Sequence, residues 1–518
     1  MPRPISKDLS IPLSRVLSAL VPPPSGRASP RTGRPAETLS TRRGPPGLAA
    51  GSPSRGGPRQ ASPARPYASW PVRFGLDFGT SNTSLAVNDG ASTRVLPIDP
   101  VAGETMPTVL YIRRDGTPLV GRPAIEAYLE DNRTRGPLRR EFQMLGIRMA
   151  SSDPEQPTVE AHIYTDTHAP GRLFQALKTF LGDPLETRTN VFGSAKGLEE
   201  LIALILAHVR QRAKELTGVA PEEITLGRPV RFIGAQDADE RATTRLRAAA
   251  DLAGFRTVRF VAEPVAAAHA AGTAVGTSLV FDFGGGTLDL CVVRRDERGV
   301  AVRATAGGPI GGDRATELLI DEVVAPRLGS RAEWGPKRLR LPRYIVNALR
   351  DWHALSSLNE KPLLDALDDL VRAGAPKREL AALRSAIELQ LGYEIFQSVD
   401  AMKCELSSAA SAILSYHHAD VDVDARATRG RFERLIAALL QEIDALVAQV
   451  LRDAEIAPDD VVEVVYTGGS SAIPAVRALV QRILPGAKVK DAAAFTSVAA
   501  GLAMPGVQEA TAGRGRES

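Results

Sequence analysis

The chain has 518 residues, with 64 Lys/Arg, 60 Asp/Glu and two cysteines, long enough for roughly three domains at ~150 residues each. Two thiols, Cys291 and Cys404, exclude a disulfide framework and fit a reducing, cytoplasmic compartment; the absence of a run of ~18 uninterrupted apolar residues excludes a hydropathy-type membrane span. Residues 1–70 hold 11 Lys/Arg and 2 acids, a net of +9, so the remainder is net −5 and the folded body is not expected to bind nucleic acid.

Residues 1–70 are rich in Pro, Ser, Gly, Arg and Ala. Such a composition buries too little apolar surface to offset ordering entropy, so a disordered leader is expected. Its Arg/Ser-rich, acid-poor character also suits an organelle transit peptide, and an upstream mis-set start is a further alternative. Order is expected from about Val72. Strands and turns follow to about Val120, with a hairpin around Asp115–Gly116. Leu173–Leu181 reads as helical, and Leu198–Leu216 as a longer helix with Leu201, Ile202, Leu204, Ile205 and Val209 on its apolar positions. A strand at Ile224–Leu226, a helix from about Asp237 to Ala253 stopped by Gly254, a strand at Val258–Val261 and a helix at Glu263–Ala271 complete an α/β alternation. A glycine-rich loop at Gly307–Asp313 then opens a charged, mostly helical stretch to Leu406. Two strands, a long helix (Phe432–Ala454), a strand (Val461–Tyr466) and a closing helix (Ser497–Ala503) end the pattern.

Two segments nearly repeat each other. Val72–Val87 reads VRFGLDFGTSNTSLAV and Ser278–Val293 reads SLVFDFGGGTLDLCVV. Each is an apolar strand, an Asp, a Gly/Thr turn and a second apolar strand. Glycine turns let backbone N–H groups approach phosphate oxygens closely, which suits Gly79, Thr80, Ser81 and Asn82 in the first turn and Gly284, Gly285, Gly286 and Thr287 in the second. Asp77, Asp282 and Asp289 suit Mg²⁺ held largely through water. A single Asp-Gly hairpin is commonplace; two matching ones call for a phosphate clamp with two similar halves. No G-x-x-x-x-G-K-[ST] is present, which excludes a P-loop enzyme, and no G-x-G-x-x-G follows the strands, which disfavours an NAD-binding fold. A third turn, Thr467–Pro474 (TGGSSAIP), is an ordinary strand–turn–helix junction by itself, but after two phosphate hairpins it reads as the adenosine-side contact.

These residues resemble the heat-shock-70 (DnaK-type) family of the actin/hexokinase ATPase superfamily. FGLDFGTSNTSLAV and LVFDFGGGTLDL resemble its two phosphate motifs, FVAEPVAAAHAAG (Phe260–Gly272) its first connecting helix, and GGPIGGD its glycine loop; ATRGRFERL (Ala427–Leu435) and YTGGSSAIPAVRALV (Tyr466–Val480) are similar as well. The resemblance spans about Val72 to Gly506. It implies an actin-like α/β fold of two lobes, each on a mixed sheet, with ATP or ADP and Mg²⁺ between them. The implied division is lobe I at 71–277 with a return helix at 491–506, lobe II at 278–490 with a helical subdomain at about 311–427, and a disordered tail at 507–518.

By the same resemblance, Lys178 is the catalytic lysine, Glu263 lies near the hydrolytic water, and Thr287 and Asp282 act on the phosphates and metal. Pro229 and Pro264 match prolines of interlobe signalling. Gly311, Gly312 and Asp313 approach the nucleotide, Asp400 and Lys403 bond the ribose, Ser407 contacts the adenine, and Gly468, Gly469 and Ser470 lie beneath the nucleoside. Three departures stand out. Cys404 and Ala472 occupy the positions of the two arginines that sandwich adenine, and Phe495 replaces an acid near the last connecting helix. Weaker nucleotide binding is therefore expected. After Gly506 about a dozen polar residues remain, so the chain resembles the YegD-like group without a peptide-binding domain. The expected function is ATP binding with weak hydrolysis and chaperone-related signalling to a protein partner the residues do not identify; a non-hydrolysing scaffold or sensor, a bacterial-actin-like filament protein and a small-molecule kinase are the alternatives.

Overall fold

A computed structural model describes residues 72–507 apart from 102, 139, 151–157, 167, 185–187, 230–231, 233–236, 298 and 493–495. The expected disordered leader and tail, and Phe495, lie outside the described residues.

Two sheets of like design carry the fold. In the first, Arg73–Phe78 sits at the centre, paired antiparallel with Asn82–Asn88 and parallel with Glu223–Arg228; Thr93–Leu96 and Thr257–Ala262 lie at the edges. In the second, Gly276–Phe283 pairs antiparallel with Leu288–Asp296 and parallel with Val461–Thr467, with Gly299–Gly308 and Lys488–Asp491 outermost. Each sheet is thus an antiparallel meander joined to parallel strands, the parallel ones reached by helical crossovers. The two hairpins share one register but differ in the residues it pairs: Asp77 faces Ser84, whereas Asp282 faces Asp289.

Each sheet has its own core. Phe74, Leu76, Phe78 and Leu85 of the first pack with Ile202, Ile205 and Val209 of the helix Leu198–Thr217. That helix begins where the Gly197 N–H donates to the Glu200 carboxylate and ends at Gly218 with φ 78°. Phe281, Phe283 and Tyr466 meet edge to face inside the second core. A smaller cluster joins the two sheets: Val265–Ala268 and Leu502 pack with Val280, Cys291 and Val293. The helices Glu263–Ala271 and Ser497–Ala503 approach closely enough that a Cβ on Gly501 would overlap the Ala266 carbonyl. The run of alanines in the first and the glycine in the second permit that approach.

The hairpin around Asp115–Gly116, the helices at 198–217, 238–252, 263–271 and 497–503 and the strands between them fall where the sequence places them. Two segments differ. Leu173–Leu181 is not a helix: Gly171–Gln175 is a strand paired with Val109–Arg113, followed by a 3₁₀ turn at Leu177–Phe180. A partner strand sixty residues upstream in the chain overrides the local helical pattern. The long helix of Phe432–Ala454 is two, Arg429–Leu435 and Ala437–Asp453, abutting at Ile436. A helix at Arg122–Thr134 had no counterpart in the sequence reading. Among the described residues no helix is long and apolar enough to cross a membrane.

Candidate functional site

The two repeated turns fold alike. The Gly79 N–H donates to the Asn82 carbonyl at 3.0 Å and the Gly284 N–H to the Thr287 carbonyl at 3.0 Å. A Cβ on Gly79 would collide with the Asn82 carbonyl, whereas one on Gly284 would meet the Thr287 carbonyl only at 3.8 Å. Both turns open onto one cavity of about 160 Å³, walled by Asp77, Gly79–Asn82, Lys178, Glu263, Asp282, Gly284–Thr287, Asp289 and Gly468.

Lys178 reaches the cavity through local strain. Ala176, a non-glycine residue at φ 53°, ends the Gly171–Gln175 strand and turns the chain into the 3₁₀ segment that carries the lysine. Its Nζ donates to Glu263 Oε1 at 2.7 Å, with side-chain exposures of 10% and 14%. Glu263 is placed by the first turn of its helix, directly after the Thr257–Ala262 strand. Thr287 Oγ1 donates to Asp289 Oδ2 at 3.0 Å.

The electrostatics are lopsided. Four carboxylates, Asp77, Asp282, Asp289 and Glu263, surround one lysine. Desolvation by the cleft walls, then the nearby Glu263 charge, pushes Asp77 up to about 7 despite Lys178. Asp289, though solvent reaches it, is pushed up to about 6 for the same two reasons in the same order. Asp282 is raised well above the carboxylate range by desolvation, then by Asp289, Asp77 and Glu263. For Lys178 desolvation is the largest single effect and lowers its pKa, yet the summed attraction of Glu263, Asp77 and Asp289 outweighs it and the net shift is upward. An all-oxygen donor set with uncompensated negative charge fits a hard divalent cation such as Mg²⁺.

Apart from Gly468, which also walls the cavity, the remaining sequence-derived residues form a second group beside it. The Gly312 and Asp313 amides donate to the Gly284 and Gly285 carbonyls at 2.9 and 2.8 Å, and Ser470 Oγ donates to the Gly284 carbonyl at 2.9 Å. A Cβ on Gly311 would overlap the Gly285 carbonyl, so only glycine lets the loop sit there. Gly468, at φ 75°, lies against the Phe283 carbonyl in the same way, and Gly469 begins the short turn after it. Lys403 Nζ binds Asp400 Oδ1 at 2.5 Å and Thr316 Oγ1 at 3.0 Å. Asp400, Lys403, Cys404 and Ser407 lie at i, i+3, i+4 and i+7 on the helix Gly392–Ser408, one face of it. Desolvation raises the Asp313 pKa. The glycine loop thus bonds directly onto the second glycine turn.

Thr179, Phe232 and Val498, which went unread in the sequence, also wall the cavity, together with Pro229 and Thr467. Thr467, opposite Asp282 in register and bonded to Ser497 Oγ at 3.0 Å, had a signal in its place just before Gly468–Gly469. Phe232 and Val498 had none.

Comparison with known proteins places the chain in a family. The chain is 26% identical over 423 residues to the chaperone protein DnaK of Thermus thermophilus, an alignment covering 79% of this chain and 56% of that protein. The chain therefore spans little more than half the length of that curated relative. The family model described as Hsp70 protein matches residues 73–329 and 387–511, which include both phosphate hairpins, Lys178, Glu263 and the Gly468 turn. The fold is the mixed α/β actin-like ATPase type, and the chain belongs to the Hsp70 family.

Proposed function

We propose that the chain binds ATP in the cleft between its two sheets, hydrolyses it slowly, and uses the resulting movement to signal to a protein partner in a chaperone-related role. The observation that carries this reading is the convergence of two like-shaped glycine turns on one cavity that also holds the Lys178–Glu263 pair.

The residues divide the work. Gly79–Asn82 and Gly284–Thr287 surround the phosphates from two sides with amides and hydroxyls. Asp77, Asp282 and Asp289 would hold Mg²⁺, which when bound neutralises phosphate charge. Lys178 holds the Glu263 carboxylate in place as an acceptor for the attacking water, and its own charge faces the phosphoryl group. Thr287 offers its hydroxyl to the leaving oxygens. Phosphoryl transfer needs chiefly positioning and charge stabilisation, which this arrangement supplies. Gly311, Gly312, Asp313, Asp400, Lys403, Ser407, Gly468, Gly469 and Ser470 form the nucleoside side. Cys404 and Ala472, both exposed, replace the stacking arginines of the family, and this supports affinity for nucleotide below the family's usual level, with the YegD-like group as the nearest type and the cytoplasm as its place.

The same replacement favours a second reading, a nucleotide-dependent scaffold or sensor without useful turnover. Calorimetric titration with Mg·ADP and a single-turnover ATP assay separate the readings. Micromolar binding with slow phosphate release supports the ATPase, binding without release supports the sensor, and no binding refutes both.

A further inference from the structure

The stretch 330–386 falls between the two parts of the chain that the Hsp70 family model matches. It contributes Trp334, Leu341, Leu363, Leu367 and Leu383 to the second core. One corner of it does something else. Asp351 caps the short helix Trp352–Ser356, accepting from the His353 and Ala354 amides, and so fixes Trp352 facing outward from that core. Trp352 meets Tyr128 edge to face at 6.0 Å, and His353 stacks on the same tyrosine at 5.7 Å. Tyr128 belongs to the helix Arg122–Thr134, which packs on the first-sheet half through Tyr111, Ala124, Ile125 and Leu129. Tyr393 closes the group, 5.2 Å from Trp352. Gly392 makes room, since a Cβ there would press on the Trp352 backbone.

Polar contacts flank these rings. Arg133 donates to the Leu389 carbonyl at 3.1 Å and to Glu394, and the Leu138 amide donates to the Asn359 carbonyl, with Leu138 bridged to Glu360. Rings, an ion pair and backbone bonds therefore tie the first-sheet half to the second at a place away from the phosphate turns. Both ends lead rigidly to the nucleotide cleft. The strand Val109–Arg113 under Tyr128 follows Thr108, whose amide donates to the Ser81 carbonyl of the first phosphate turn at 2.9 Å. The helix that starts at Gly392 carries Asp400, Lys403 and Ser407.

We infer that this contact is a clasp, in which a segment beyond the family's matched core holds the cleft shut and sets how fast nucleotide leaves. Parting Trp352 from Tyr128 moves the Ser81 turn away from the Asp400–Lys403 helix, which is the opening a bound nucleoside needs. The inference rests on the cleft being a nucleotide site. The clasp differs from packing within either half because Tyr128 and Trp352 sit on helices whose neighbours pack in different cores, Ile125 against the Val109–Arg113 strand and Leu355 in the second core.

The test is release of a fluorescent ADP analogue from the full chain, chased with unlabelled ADP in stopped flow. Tyr128→Ala and Trp352→Ala are each expected to speed release roughly tenfold, the scale of losing one or two edge-to-face ring contacts, with the association rate changed less than threefold. The double variant is expected to match the singles, because the two side chains share one contact. Tyr128→Ala leaves the core of the 330–386 stretch untouched, so it keeps the test valid if Trp352→Ala folds poorly. Unchanged release in Tyr128→Ala, or accelerations that multiply in the double variant, overturns the clasp. Failure of the intact chain to bind the analogue overturns the nucleotide reading instead. Amide exchange in Arg122–Thr134 of the ligand-free protein then decides the clasp by itself: faster exchange in Trp352→Ala supports it, and identical exchange removes it.

Discussion

Lys178→Ala is the most informative single substitution, because Lys178 is the cation that the cavity wall supplies to four carboxylates. Its Nζ lies 2.7 Å from Glu263 and both side chains are mostly shielded, at 10% and 14% exposure, so solvent screening discounts the pair only slightly. Removing one partner of a buried pair costs ~3–5 kcal/mol, because the other charge is left unpaired. The neighbouring aspartates already hold protons more tightly than usual and can take up more, which relieves part of that loss and places the cost near 3 kcal/mol. For a chain of this size that is a fall in Tm of about 3 °C, at roughly 1 °C per kcal/mol. The fall is expected in chelator and should shrink in millimolar Mg²⁺, which restores positive charge to the same cluster. Turnover should drop ~100-fold, the effect of losing one preorganised electrostatic partner, while Mg·ADP affinity stays within a few-fold. Scanning calorimetry with and without Mg²⁺, beside single-turnover hydrolysis, reads all three. A Tm within 1 °C of the parent together with unaltered phosphate release would show that Lys178 is a bystander and that the charge reasoning is wrong.

Other expectations follow from the same geometry. Asp77 and Asp289 titrate at about 7 and about 6 rather than at 3.8, so the folded state holds protons that the unfolded chain releases. That contribution is fully present below the ordinary carboxylate value and is lost as pH rises through 6 to 7; in chelator, Tm should fall from pH 5 to pH 8, and Mg²⁺ affinity should tighten over the same interval. A flat Tm profile contradicts the raised values. Cys291 is buried, its thiol pushed up by burial, whereas Cys404 is exposed; a thiol reagent should modify one cysteine in the native protein and two in denaturant, with Mg·ADP slowing the first. Equal reaction of both in native protein would count against the described packing. Gly501→Ala forces a methyl against the Ala266 carbonyl and should cost about 3 kcal/mol by overpacking, while Gly486→Ala, which meets nothing within 4 Å, should be silent in a denaturant melt.

Much of the site is readable in sequence because its chemistry is local. The two hairpins carry strand, carboxylate, glycine and hydroxyl within sixteen residues each, and FVAEPVAAA brings Glu263 to the start of a helix whose alanines explain its close packing. The segment around Lys178 is harder. Its strand pairs with Val109–Arg113, and Gly171 lies against the Tyr111 ring, partners that no window over 171–181 contains. The break at Ile436 is hidden for the opposite reason, since both flanking helices continue one apolar pattern. The helix Arg122–Thr134 starts after Gly121 at φ 71° with Pro123 in its first turn, a start signal that was present but overshadowed by the motifs on either side. Trp352 and Tyr128 are 224 positions apart, and nothing in either neighbourhood points to the other.

The differing cross-strand pairs of the two hairpins mean that the repeat is not symmetrical. A carboxylate opposite a hydroxyl, as with Asp77 and Ser84, is a quiet cross-strand pair; a carboxylate opposite a carboxylate, as with Asp282 and Asp289, repels. The second sheet therefore carries its discord at the very residues that close its hairpin, and a cation lodged there relieves it. One hairpin sets its aspartate against a hydroxyl, while the other sets two carboxylates against each other, a repulsion that a bound cation would offset.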